Sequence, residues 1–98
     1  LQYLMAMSNL ISRKDFLKAI EQIHSAKSVS GVVYSSIRVN GFLCKGIRES
    51  TQKEFQIDLD KLYQAYSELD IINTVTLKQY VDRVQSPALA ILKTAEII

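Results

Sequence analysis

VVYSSIRVNGFLCKGIR, residues 32–48, is the stretch that decides how this chain folds. Its two halves, Val32–Val39 and Phe42–Arg48, are rich in β-branched and aromatic residues and flank Asn40-Gly41. A type I′ turn needs positive φ at both central residues, which Asn and Gly tolerate best, so this pair between two such runs predicts a β-hairpin. A two-residue loop fixes the register. Val39 then opposes Phe42, Ile37 opposes Cys44 and Ser35 opposes Gly46, which makes one apolar face. The other face carries Tyr34, Ser36, Arg38, Leu43, Lys45 and Ile47.

Downstream, Ser50-Thr51-Gln52-Lys53 reads as a polar turn and Glu54–Ile57 as a third short strand, with Phe55 opposite Arg48. Asp58 is a good N-cap for a helix whose stripe is Leu59, Leu62, Tyr63, Tyr66 and Leu69. Asp70 to Asn73 break that period. Thr76-Leu77-Lys78-Gln79 has capping-box spacing, and Leu77, Tyr80, Val81 and Val84 continue it as an apolar face. Ser86-Pro87 then opens a last helix, Pro87–Ile98, with Ser as cap and Pro in the first turn. That helix is apolar nearly all round, as expected of one buried centrally or shared with a partner.

Upstream, Ser12 is placed to cap a helix with Asp15 in its first turn, where the helix dipole favours an anion. Phe16, Leu17, Ile20, Ile23 and His24 fall on one face of that helix, and Lys27, Ser28, Ser30 and Gly31 end it. Leu4, Met7 and Ile11 share helical spacing and predict a short apolar helix before it. The fold class expected is therefore α+β. A three-stranded antiparallel β-meander, about residues 32–57, follows one or two helices and precedes three more. Residues 1–98 read as one domain, either alone or as a fragment of a larger protein.

Composition sets outer bounds. Of 98 residues, 48% are hydrophobic and 22% charged, far from the signature of disorder. A chain this size buries roughly 60–65% of its unfolded surface, which supports one core without a metal or a disulfide. Cys44 is the only cysteine, so no intrachain disulfide can form. A reducing, cytoplasmic setting is the natural expectation. No apolar run approaches the roughly 20 residues of a membrane span, so no membrane partner is expected. Twelve basic against ten acidic residues leave a net charge of +2, a weak basic footprint.

Candidate chemistry is sparse. His24 and Cys44 are each the only residue of their type. A thiol nucleophile beside a base is formally available, but the ordinary reading of a Cys on a hairpin's apolar face is a small core residue. Structural zinc needs three or four clustered ligands, which one Cys and one His do not supply. Glu54, Asp58 and Asp60 offer oxygen to a hard cation, but helix capping and first-turn acids account for both aspartates. No phosphate-binding glycine loop is present, and no cofactor is expected. The helix–meander–helix order, with Glu49 ending the second strand and Glu54-Phe55-Gln56 starting the third, resembles the start of restriction-endonuclease-like cores. That resemblance covers about half the chain. It implies metal-dependent phosphodiester cleavage, although the Lys such nucleases carry two positions after the acid is absent here.

Two binding surfaces have more substance. The outer hairpin face would present Tyr34, Arg38 and Lys45, with Arg48 and Lys53 near one end, a set able to stack bases and neutralise phosphates. Its ordinary counterpart is the polar outer face of any antiparallel sheet. The apolar ends of the chain, through Leu4, Met7, Ile91, Leu92, Ile97 and Ile98, would offer an interface to a protein partner or a second copy. Packing of both ends on the chain's own sheet explains the same residues equally well. The expected function is a non-enzymatic binding or protein-interaction module, dimeric through its apolar terminal helices. Nucleic-acid binding by the hairpin face is the alternative, and a nuclease a distant third.

Overall fold

The computed structural model describes residues 10–98. They form an α+β domain with one antiparallel sheet. In chain order the elements are α1 (Arg13–Glu21), β1 (Ala26–Lys27), β2 (Val33–Asn40), β3 (Leu43–Arg48), β4 (Lys53–Asp58), α2 (Leu59–Glu68), α3 (Thr74–Leu77) and α4 (Gln85–Thr94). The sheet is a meander in the order β1-β2-β3-β4. The expected strands are thus joined by a fourth, β1, in a stretch whose serines and glycine read as a helix end. Ala26 pairs with Tyr34 and Lys27 with Val33. Gly31, with φ +94°, turns the chain between the two strands.

The central hairpin forms, with its turn one residue later than Asn40-Gly41 implies. Asn40 pairs with Leu43, so the loop is Gly41-Phe42. Gly41 has φ +65° and neither neighbour is in the left-handed region, which is the type II′ pattern with Gly first. The Phe42 carbonyl also accepts from Leu59 N at 2.8 Å, tying the turn to the start of α2. Val39 consequently opposes Cys44, and Phe42 stands half-exposed at the turn instead of on the core face.

A bulge then corrects the slip. Pairing runs Arg38↔Lys45 and next Ser35↔Ile47, so β2 spends one extra residue opposite β3. Ser36 sits there with φ +52°, and the Arg38 guanidinium donates to its carbonyl at 2.8 Å. Because successive strand residues alternate faces, the insertion places Val39, Ile37 and Tyr34 all on the core side. Simple alternation puts Tyr34 outside; it is 4% exposed, and its ring meets Phe55 edge-on at 5.6 Å. Phe55 in turn opposes Gly46, not Arg48, because β3 and β4 pair two residues further along than expected.

Helices cover the core side. Phe16 and Ile20 of α1 are fully buried, and Phe16 packs on Tyr63 and Tyr66 at 5.0 and 5.5 Å. The same two tyrosines clasp the backbone of Ile11: Ile11 N donates to Tyr66 Oη and Tyr63 Oη donates to Ile11 O. Ser12 caps α1 by accepting from Asp15 N, and Asp58 caps α2 through Asp60 N and Lys61 N, both as the sequence implies. The cap of α3 is Asn73, in a box with Thr76, rather than Thr76 itself. Helix α4 begins at Gln85, two residues before Pro87, and ends at Thr94. It packs on β1 and α3, with Ala88, Ile91 and Leu92 fully buried. No helix among the described residues is long and apolar enough to cross a membrane.

Candidate functional site

A cleft of about 340 Å³ opens between α4 and the end of the sheet where β2 begins and β3 ends. That volume lies at the small end of the range for ligand pockets. Two further concavities, one on the β1–β2 turn and one beside His24, are larger, about 440 and 520 Å³, but more open to solvent. Register builds the cleft. Arg48 is paired with Tyr34, so its side chain leaves β3 on the core side, beyond the last helix-covered residue. Lys93, the one cation within the apolar turns of α4, reaches the same space from the opposite wall. Ser28 and Ser86 add hydroxyls at its margins, and Val32 and Leu89 add apolar surface.

The electrostatics are one-sided. No Asp or Glu lines the cleft. The salt bridge present among the described residues joins Arg13 to Asp60, well away in sequence and on an exposed surface. Arg48 and Lys93 therefore face a shared space without a counter-charge, and a concave wall concentrates their potential. Tyr34 forms part of that wall. Its hydroxyl makes no hydrogen bond among the described residues. Burial pushes its phenol above the usual range, against the opposing pull of the Arg48 guanidinium, so at neutral pH it is an O–H donor. Ser28 Oγ is held in the turn by accepting from Val32 N and by its contact with Ser30 Oγ, each at 3.0 Å. The cleft thus offers cations and donors converging on a small volume, which is an arrangement for holding an anion.

The basic set expected on the hairpin does not form one patch. Tyr34 is inside. Arg38 and Lys45 oppose one another on the outer face, while Arg48 and Lys53 oppose one another on the core side. The apolar set divides as well. Ile91 and Leu92 are fully buried in the chain's own core and are not available to a partner; Ile97 is half-buried and Ile98 is 43% exposed. Leu4 and Met7 lie outside the described residues. Glu49 sits in the β3–β4 turn, and Glu54 faces outward from the edge strand opposite Ile47. No group of three or more His, Cys, Asp or Glu is placed to hold a metal among the described residues. No family model, curated protein or solved structure matches this chain.

His24 and Cys44 stay apart in role: His24 is exposed in the α1–β1 loop and Cys44 is fully buried on β3. Burial lifts the Cys44 thiol from 9.0 to about 11, with Arg38 pulling the other way. A thiol whose folded pKa is raised contributes stability that is whole below the unfolded pKa and lost as pH climbs through the folded one. Unfolding free energy is therefore expected to fall between about pH 9 and pH 11, by on the order of 2 kcal/mol from this group. Urea melts of the wild type and Cys44→Ala across that interval test it. The variant should show a visibly flatter decline, and parallel curves would discount the thiol.

Proposed function

We propose that this protein is a non-enzymatic binding module whose ligand is an anion held in the cleft between α4 and the sheet. The observation that carries this reading is the convergence of Arg48 and Lys93 on one cleft that contains an unpartnered tyrosine hydroxyl and no carboxylate. Charge-assisted hydrogen bonds of the kind these groups would make contribute about 1.5–3 kcal/mol each, so two of them suffice for a weak, specific site. The expectation of a homodimer through the apolar ends now rests on less surface, since Ile91 and Leu92 belong to the core. A second reading keeps its own support. Arg38 and Lys45 lie directly opposite one another, a repulsive cross-strand pair that a phosphate backbone on the outer face would relieve.

A titration of isotope-labelled protein with inorganic phosphate at low salt distinguishes these by amide shifts. Changes centred on Arg48, Lys93, Tyr34 and Ser28 are expected, with affinity reduced about tenfold by Arg48→Ala and again by Lys93→Ala. An oligonucleotide added in a parallel experiment reports on Arg38 and Lys45 instead, with a steep salt dependence. Absence of any cleft response to phosphate would remove the first reading.

A further inference from the structure

We infer that the ligand class of the cleft is a small amphipathic anion, a carboxylate or phosphate headgroup carrying a short apolar body; this rests on the anion-binding reading above. The lining of the cleft combines two chemistries. Arg48 from the sheet and Lys93 from α4 supply charge, whereas Val32, the ring of Tyr34 and Leu89 supply apolar surface. A bare inorganic ion would satisfy the cations and leave those apolar groups in contact with water. A polyanion would need a track of cations, but the lining supplies two, in a volume of about 340 Å³. An apolar body of several carbons fits the space and turns its lining into buried contact.

The mouth of the cleft points the same way. Val29, at the tip of the β1–β2 turn, lines the opening yet is 86% exposed. Thr74 also lines it, and the next residue along, Val75, is 77% exposed. A ligand whose apolar end leans towards the mouth would cover Val29. Tyr34 lines the same cleft, and its unpartnered hydroxyl supplies a donor for a headgroup oxygen.

The test is a calorimetric or NMR series of inorganic phosphate, ethyl, butyl and hexyl phosphate, with hexanoate and hexanol for comparison. Affinity should rise about fourfold per methylene while the chain remains inside the cleft. Hexyl phosphate should bind at least tenfold tighter than inorganic phosphate, hexanoate should compete with it, and hexanol should not. Val29→Ser, at an exposed position, should shorten the gain with chain length. Leu89→Ser should shorten it further, with Leu89→Met restoring it. Equal affinity for inorganic and hexyl phosphate would overturn the amphiphile and leave the anion site standing. No phosphate binding, or hexanol matching hexyl phosphate, would overturn both.

Discussion

Ile91→Asp is expected to leave the chain unfolded at 25 °C, whereas Ile98→Asp, seven residues on, should melt within a degree or two of wild type. Ile91 has no exposed surface and lies beside Leu92 on the face of α4 that meets β1 and α3. Removing its side chain alone costs about 2–5 kcal/mol, and an unpaired carboxylate in the same place adds several more. A domain of this size holds about 5–15 kcal/mol in total, so the sum is comparable with all the stability available. Ile98 is 43% exposed and has little burial to lose. Circular dichroism with temperature and urea decides between them. A folded Ile91→Asp would mean that α4 is not part of the core, and Ile91→Val, at about 0.5–1.5 kcal/mol, grades the effect if the aspartate variant cannot be purified.

The second large effect is expected at Gly46. A Cβ built there would stand 2.5 and 2.7 Å from ring carbons of Phe55 and 3.1 Å from the Ser35 carbonyl. The ring thus lies over the glycine and fills the space a side chain would take. Intrinsic strand preference favours Val over Gly, by up to about 1 kcal/mol. Displacing Phe55 from its edge-on contact with Tyr34 outweighs that, because overpacking a closed core costs typically 1–3 kcal/mol. Gly46→Val should therefore destabilise by about 1–2 kcal/mol in urea unfolding. Phe55→Ala should destabilise on its own, but the double variant should lose less than the two losses added, since the new methyls occupy the vacated space. Strict additivity would show that the two residues do not share that space.

The helix stripes were legible because their period is local: Phe16 and Ile20, Leu59, Leu62 and Tyr66 are buried as their spacing implies. The hairpin was legible as a hairpin but not in register. Asn-Gly announces a turn without saying which pair of residues occupies its centre, and a carbonyl 17 residues from its partner nitrogen, Phe42 to Leu59, helps to settle it. The bulge had a sequence trace. Tyr34 and Ile37 are two large apolar residues three apart in a strand, and they share a face only when one residue is added between them. The cleft left almost none. Its walls come from the β1–β2 turn, Arg48, Thr74 and α4, segments that no periodicity connects. The nearest signal was a single Lys in an otherwise apolar helix turn, which reads as a solubilising charge until the opposite wall is known.

Helix α4 also carries a consequence for how the molecule is made. Residues 85–94 follow every strand among the described residues, yet they lie against β1, the first of those strands. A ribosome that has delivered the meander has released a sheet whose β1 end still lacks α4, and synthesis at about 5–20 residues per second leaves that end uncovered for seconds. In that interval the nascent chain shows apolar surface of the kind that chaperones hold and that promotes aggregation, and the ten residues of α4 are what cover it.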